Sequence, residues 1–273
     1  MPELPEVETV RRKLESETHH HPVIDHVELF RSDIRFPIPK DFAKKLKGQP
    51  IQRIRRRAKY LLFDTPKVSL LSHLGMTGSW RILKEPKRGV HDHCFVHLQD
   101  GRILAFRDPR RFGMLDLVQR ENEATHPRLK NLGPEPLDMN AFHADYLFQR
   151  TRKRKTLIKS LIMDQKIVVG VGNIYASEAL FWAKIRPTRW ASRITQGEAK
   201  HLVEAIRKVL NEAIQAGGSS IRDYRNPAGE AGQFQASHQV YDRANKPCLI
   251  CGNPIRSKVI SGRSTYWCPH CQK

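Results

Sequence analysis

Between residues 7 and 14 the apolar side chains Val7, Val10 and Leu14 fall at the spacing of one helical face, and Pro5 suits a first helical turn. The pattern predicts a helix almost at the N-terminus. From Ile24 to about Val118 the period shortens, with apolar segments at Tyr60 to Phe63, Ser69 to His73, His93 to Leu98, Ile103 to Phe106 and Gly113 to Val118, separated by Gly, Pro and Asp. Short segments of this kind predict antiparallel strands of a sandwich or barrel.

The stretch Asn131-Leu-Gly-Pro-Glu-Pro-Leu137 reads as a linker. Beyond it Leu157, Ile158, Leu161 and Ile162 share a face, and the run Arg152-Lys-Arg-Lys155 is expected to open that helix. The segment Val168-Val-Gly-Val-Gly-Asn173 interrupts before helical periodicity resumes from Ile174 to Ile185. A third amphipathic helix is predicted over roughly Gln196 to Ala216, with Gly217-Gly218 as its stop signal. No internal repeat or low-complexity tract is visible. The expected architecture is α+β, an N-terminal antiparallel β-sandwich with a leading helix followed by a helical part and a cysteine-bearing tail. Boundaries are placed at 1–133, 134–237 and 238–273.

Composition narrows the partner. The 273 residues carry 48 Lys and Arg against 28 Asp and Glu, a formal charge of +20, while 39% are hydrophobic, enough to bury a core. A folded, strongly cationic protein is an unexpected form for a neutral metabolic enzyme; its natural partner is a polyanion, nucleic acid before membrane. The basic runs Arg53 to Lys59 and Arg152 to Lys155, with the C-terminal tail, are the expected phosphate-facing segments. No apolar run is long enough to span a bilayer, and seven charged side chains in the first sixteen residues oppose a secretory signal. A reducing, cytoplasmic setting is therefore expected, and no membrane partner.

Four of the five cysteines form two pairs, Cys248-x2-Cys251 and Cys268-x2-Cys271, sixteen residues apart. This is the spacing of two knuckles closing on one tetrahedral Zn²⁺, and four thiolates leave no open position, so the metal is expected to be structural. Between the knuckles, Ser261-Gly-Arg-Ser-Thr265 predicts a hairpin turn displaying Arg263, in a segment whose charge is almost wholly basic.

The chain starts Met1-Pro2-Glu3-Leu4-Pro5-Glu6. Removal of Met1 would leave Pro2 as a secondary amine beside two carboxyl groups. A generic α-amino group, with pKa near 8, is about a tenth neutral at pH 7, roughly two hundred times more than a Lys, and is a ready nucleophile. A secondary amine that adds to an aldehyde carbon gives an iminium with no N–H to lose, an electron sink suited to elimination. The plainer alternative makes Pro2 an ordinary terminus and Glu3 and Glu6 charges at a helix N-terminus.

The segments Pro2-Glu-Leu-Pro-Glu-Val-Glu-Thr9, Arg57-Ala-Lys-Tyr60, His73-Leu-Gly-Met-Thr-Gly-Ser79, Asp108-Pro-Arg-Arg-Phe-Gly113, Val169-Gly-Val-Gly-Asn-Ile-Tyr-Ala-Ser-Glu178 and the cysteine pairs occur in one order over nearly the whole chain. In these the sequence closely resembles the bacterial formamidopyrimidine-DNA glycosylases, repair enzymes that excise oxidised purines such as 8-oxoguanine. The resemblance implies a sandwich domain, a helix-two-turns-helix domain and a zinc ribbon acting on double-stranded damaged DNA, as a monomer. It implies a bifunctional glycosylase and AP lyase in which Pro2 attacks C1′, the base leaves, and the Schiff base carries the strand through β- and δ-elimination.

Residue by residue, Glu3 matches the general acid/base, Glu6 a supporting carboxylate and Lys59 a lysine of the elimination step and of phosphate contact. Arg263 matches the hairpin arginine of the δ step; its guanidinium stays protonated, so phosphate binding is its more physical role. Base extrusion leaves a void, and Met76, Arg110 and Phe112 match the side chains that fill it, although Met76 and Phe112 could otherwise be core. His91, Arg154 and Asn173 match DNA contacts; Asn173 could equally be a helix cap. The endonuclease VIII-like branch, directed to oxidised pyrimidines, usually has Gly where this chain has Leu4. A non-catalytic zinc-ribbon DNA-binding protein is the rival from another class.

The chain departs from the pattern at Asp242, often Gly; at His19-His-His21, in place of a glycine-bearing turn and read as surface; and at Cys94 and Phe95. Residues 225–237 are expected to form a loop over the damaged base.

Overall fold

The computed structural model describes residues 1–219 and 232–273, so the greater part of the expected lesion loop, 225–231, lies outside the described residues. The chain divides into two compact units, Met1–Lys130 with Gly217–Gln233, and Asn131–Ala216 with Phe234–Lys273.

The first unit opens on α1 (Leu4–Thr18), with Glu3 as N-cap and Pro5 in the first turn. β1 (Ile24–Leu29) and the short α2 (Phe42–Leu46) follow, then β2 (Arg53–Arg57), β3 (Tyr60–Asp64), β4 (Val68–His73), β5 (Ser79–Leu83), β6 (Asp92–Leu98), β7 (Ile103–Arg107) and β8 (Met114–Gln119). They form two four-stranded sheets, ordered β1-β6-β7-β5 and β2-β3-β4-β8, and every pairing is antiparallel. One core joins them. Val7, Val10 and Leu14 of α1 pack in a single buried cluster with Val27 and Val96 of one sheet and Ile54, Leu61 and Phe63 of the other. Trp80 is fully buried, its ring centroid 5.0 Å from Phe63 and 5.2 Å from Phe106, and its indole N–H donates to Ser72 at 3.0 Å. Cys94 lies in this core, and burial pushes its thiol far up, which leaves it an inert packing group.

In β2 the expectation that the run Arg53 to Lys59 faces phosphate gives way at Arg53, Arg55 and Arg56, which pair with carboxylates of the same unit. Arg53 and Arg55 bond Asp64 at 2.8 and 2.6 Å, Arg55 also bonds Glu123 at 2.7 Å, and Arg56 bonds Glu8 at 3.1 Å. Burial pushes the Asp64 carboxyl up, but bonds from Arg55, Ser69 and Arg53 outweigh it and hold the group below the usual carboxylate range. These arginines fasten the sheet edge to the rest of the sandwich.

The second unit holds α3 (Ala144–Thr151), α4 (Ile158–Met163), α5 (Asn173–Trp182), α6 (Gln196–Gln215) and the hairpin β9 (Arg256–Ile260) and β10 (Arg263–Trp267). α6 begins with a capping box in which the Thr195 hydroxyl accepts the Glu198 N–H and the Glu198 carboxylate accepts the Thr195 N–H. The run 152–155 lies between α3 and α4 rather than at a helix start, because α3 ends at Thr151 and α4 begins at Ile158. Arg152 is bound to Thr151 and Ile194, while Lys153, Arg154 and Lys155 are exposed. The cluster of Phe181, Val240, Cys248, Ile255 and Cys268 seats the ribbon on α5.

Two departures noted in the sequence have one physical basis. Asp242 and His21 both adopt the left-handed region, with φ 58° and 52°, where glycine is favoured and Asp is among the better-tolerated alternatives. His19, His20 and His21 are exposed, and among the described residues the only His, Cys, Asp and Glu group able to hold a metal is the cysteine cluster.

Candidate functional site

In the first unit the N-terminus is built into the sandwich. Pro2, Glu3 and Glu6 are buried while Met1 is 56% exposed, and Met1 lines a cavity of about 620 Å³ together with Asp33, Arg35, His73, Met76, Arg110 and Phe112. Glu3 and Glu6 form a capping box: the Glu3 side chain accepts the Glu6 N–H, and Glu6 Oε2 accepts the Glu3 N–H at 2.8 Å. The other Glu6 oxygen accepts the Ser219 N–H at 2.7 Å. One carboxylate thus holds two segments 213 positions apart. Glu3 and Glu6 thus cap α1, as the plainer reading of this segment has it, and they lie next to Pro2 in the chain.

Lys59 is buried in the two-residue turn between β2 and β3, beside Ala58 at φ 55°. A left-handed alanine costs on the order of 1 kcal/mol, strain of a kind concentrated at functional sites. Burial, with the Lys59 and Arg35 charges, pushes the neighbouring His73 down to about 4, so this imidazole is neutral at pH 7. His73 Nδ1 accepts the Gly75 N–H at 3.0 Å.

Met76 and Phe112 are 39% and 42% exposed, so neither is core. Their loops are held edge to edge. A Cβ on Gly75, at φ 63°, would lie 2.3 Å from the Phe112 carbonyl carbon, so only glycine permits the approach. Asp108, fully buried, accepts the Thr77 hydroxyl at 2.6 Å and the Gly113 N–H at 2.7 Å, and Thr77 Oγ1 accepts the Arg110 N–H at 3.1 Å. The Arg110 guanidinium sits 4.9 Å from the Phe112 ring centroid. His91, half-buried, flanks this loop and accepts the Asp108 N–H through its carbonyl at 3.0 Å. Asp108 organises Met76, Arg110 and Phe112 at once, a role hidden in sequence because its partners lie 31 and 5 positions away.

In the second unit Gln165 clamps the glycine turn between α4 and α5, accepting the Gly170 N–H at 2.8 Å and donating to Met163 and Val171 carbonyls at 3.1 Å. Asn173 is not the cap of α5; Gly172 holds that position. Its amide instead reaches the ribbon, donating to the Ser264 carbonyl at 2.9 Å, while its oxygen accepts from Lys159 at 2.7 Å. Lys159 is 2% exposed and also donates to the buried Thr265 hydroxyl at 2.7 Å. Arg263 is exposed at the first position of β10, after a turn whose central residues Ser261 and Gly262 have φ 49° and 73°. Two positive φ values are the mark of a type I′ hairpin turn. Asn173 and Arg263 are thereby set on one framework, with Lys159 as the fastening that sequence reading missed. Arg154 stands apart and exposed between α3 and α4.

The thiol sulfurs of Cys248, Cys251, Cys268 and Cys271 lie within 4.8 Å of one another, with 4.0 Å between Cys248 and Cys271 and 3.5 Å between Cys251 and Cys268. A tetrahedron of Zn–S bonds near 2.3 Å has sulfur–sulfur edges of about 3.8 Å. The set fits one structural zinc. Glu178, buried on α5, accepts the N–H groups of Gln239, Val240 and Tyr241 at 2.8, 3.0 and 2.8 Å and anchors the approach to the ribbon.

A sandwich with a built-in N-terminus, a helix–glycine turn–helix and a four-cysteine ribbon define the H2TH and zinc-finger class. Residues 1–115 match the formamidopyrimidine-DNA glycosylase N-terminal domain, 132–225 its H2TH domain, and 245–273 the zinc finger found in FPG and IleRS. A formamidopyrimidine-DNA glycosylase of Bdellovibrio bacteriovorus is 50% identical over 273 residues, and one of Stenotrophomonas maltophilia 49% over 275, each alignment covering 100% of both chains. The chain belongs to the formamidopyrimidine-DNA glycosylase family. Similar solved structures include a Lactococcus lactis FPG mutant with a Fapy-dG containing DNA, at TM-score 0.91 and 35% identity over 100% of both chains. The MutM (FPG) protein from Thermus thermophilus has TM-score 0.86 and 42% identity, covering 99% of this chain and 98% of that one. The L. lactis enzyme with an abasic site containing DNA has TM-score 0.91 and 35% identity, over 99% of both.

Proposed function

We propose that this protein is a bifunctional DNA glycosylase and AP lyase that removes oxidised purines, 8-oxoguanine and formamidopyrimidines, from duplex DNA. The observation that carries this reading is the placement of Pro2 at the head of α1, under a Met1 that lines the same cavity as Met76, Arg110 and Phe112. Removal of Met1 gives Pro2 its secondary amine. The neutral amine attacks C1′ of the extruded nucleotide, the glycosidic bond breaks, and the base departs with a proton that Glu3 can relay. Opening of the sugar leaves an iminium at C1′. Loss of a C2′ proton then expels the 3′ phosphate, a second elimination expels the 5′ phosphate, and hydrolysis returns the free amine.

Glu6 holds the N-terminal turn in place. Lys59 supplies a cation for a phosphate and a proton for the elimination, while Met76, Phe112 and Arg110 fill the vacated stack and meet the orphaned base. His91, Arg154, Asn173 and Arg263 grip phosphates, the last through a bidentate guanidinium. Zinc is bound by the four cysteines and shapes the hairpin that carries Arg263; a closed thiolate set contributes stability rather than chemistry. The catalytic segment is 1–133, the helix-two-turns-helix segment 134–237 and the finger 238–273. The protein works as a monomer on cytoplasmic DNA. Among the described residues no helix is long and apolar enough to cross a membrane.

Leu4 favours the purine-directed branch over the endonuclease VIII-like one, and solved neighbours hold Fapy-dG containing DNA. Borohydride reduction during incubation with an 8-oxoguanine duplex tests this function. A covalent adduct mapping to Pro2 is expected; base release without one would remove the Schiff base and the lyase step, and only the absence of both adduct and base release would favour the non-catalytic DNA-binding alternative.

A further inference from the structure

The stem of the segment that follows α6 is described on both sides, and it bears directly on Glu6. Gly217 and Gly218 both have positive φ, 73° and 85°, and Ser219 pairs with Gln233 as an isolated antiparallel bridge. The two glycines face different surroundings. A Cβ on Gly217 would have Gly232 Cα as its nearest neighbour, at 4.0 Å, an ordinary contact. A Cβ on Gly218 would lie 2.8 Å from Glu6 Oε1, 3.0 Å from its Cγ and 3.2 Å from its Cδ. The stem cannot retreat from that collision, because Gly232 packs so closely behind it that a Cβ there would lie 2.3 Å from the Gly218 carbonyl oxygen. The carboxylate would have to move instead.

Glu6 is not free to move without consequence. Its Oε1 accepts the Ser219 N–H at 2.7 Å, and its Oε2 accepts the N–H of Glu3, the residue bonded to Pro2, at 2.8 Å. We infer that Gly218 is a positioning residue for the reaction: with Gly232 behind it, its bare backbone sets the Glu6 carboxylate, which fixes the peptide carrying the Pro2 amine. This rests on the proposed Schiff-base function. A contact of 2.8 Å falls about 0.6 Å short of ordinary van der Waals separation, and misplacement of a reacting group by 1 Å can cost on the order of a hundredfold in rate.

The experiment compares Gly218→Ala with Gly217→Ala in the zinc-loaded, Met-processed full chain. Both substitutions carry the strain of an alanine at positive φ, but only the first strikes Glu6. Three quantities are read: affinity for a duplex with a non-cleavable abasic analogue, thermal midpoint, and single-turnover borohydride trapping on an abasic-site duplex. The expected result is trapping slowed by roughly fifteenfold or more in Gly218→Ala, with DNA affinity matching Gly217→Ala and the fold retained at a lower thermal midpoint, while Gly217→Ala traps at near the parental rate. Equal trapping by the two variants, or slowing that tracks lost DNA affinity, would overturn the inference. If Gly218→Ala does not fold, Glu6→Gln takes its place, since an amide of the same shape offers one oxygen to two N–H donors; parental trapping by that variant would also overturn it. Failure of the parent itself to trap would count against the proposed function rather than against the role of Gly218.

Discussion

Replacing Lys159 by Met tests how the helical unit holds Asn173 and the zinc hairpin, the groups proposed to meet DNA, in place. The ammonium is 2% exposed and lies 2.7 Å from Asn173 Oδ1 and 2.7 Å from Thr265 Oγ1, with a longer bond of 3.4 Å to the Ser264 carbonyl. Methionine is of similar length and apolar, so the cavity term is small and the polar terms decide the outcome. Each short charge-assisted bond is worth about 1.5–3 kcal/mol net, and an acceptor left buried costs about 1–3 kcal/mol. Relief from burying a charge offsets part of the loss. Thr265 is fully buried and keeps a bond to the Arg263 carbonyl at 3.2 Å, which moderates its share. The expected net destabilisation is about 3 kcal/mol, a drop of roughly 10 °C in the melting of this unit. Urea unfolding of the zinc-loaded protein measures it, and duplex affinity is expected to fall with it because Asn173 and Arg263 lose their common fastening. Ser160→Ala removes only a hydroxyl contact of 3.1 Å to Ser261 at the surface and is expected to cost less than about 1 kcal/mol. A Lys159→Met protein as stable as its parent, with unchanged affinity, would refute the reasoning.

The His73 imidazole, pushed from 6.5 to about 4 by burial and by the Lys59 and Arg35 charges, resists a proton that the unfolded chain accepts near 6.5. Stability of the first unit is therefore fully present above pH 6.5 and falls as pH drops toward 4, by at most about 3 kcal/mol, and urea midpoints for His73→Asn should show a shallower fall. Met76→Ala and Phe112→Ala should each change stability by less than about 0.5 kcal/mol, because both side chains are exposed, while slowing excision of 8-oxoguanine; strong destabilisation by either would return them to the core. Chelation of zinc should abolish duplex binding and leave the unfolding transition of the first unit unchanged, since the metal's binding energy is folding energy for the ribbon alone. Retained binding after verified metal loss would contradict that role.

Strongly periodic or punctuated segments were legible from sequence. α1, α6, the five strands with clear apolar runs, the hairpin turn before Arg263 and the zinc knuckles all follow from local pattern, because side-chain period, glycine placement and ligand spacing are local quantities. β2 was not legible as a structural strand. Arg-Ile-Arg-Arg-Arg reads as a solvated cationic run until Asp64, Glu123 and Glu8 are brought against it, and those partners are 9, 68 and 48 positions away. The same limit hid the duty of Asn173, which bonds a carbonyl 91 residues on instead of capping its own helix. Met76 and Phe112 show the converse case: composition favours the core for both, and only the Asp108 clamp and the glycine contact at Gly75 explain why they stand exposed. Long-range pairing of this kind is set by topology and has no signature in a local window.

The most direct measurement is the identity of the atom bonded to DNA. Zinc-loaded, Met-processed protein is incubated with an 8-oxoguanine duplex and borohydride, digested, and the crosslinked peptide sequenced by mass spectrometry. A stable adduct on the Pro2 nitrogen, formed in step with base release, is expected. An adduct on Lys59 or on any other amine, or base release with no adduct at all, would contradict a Schiff base at the N-terminus.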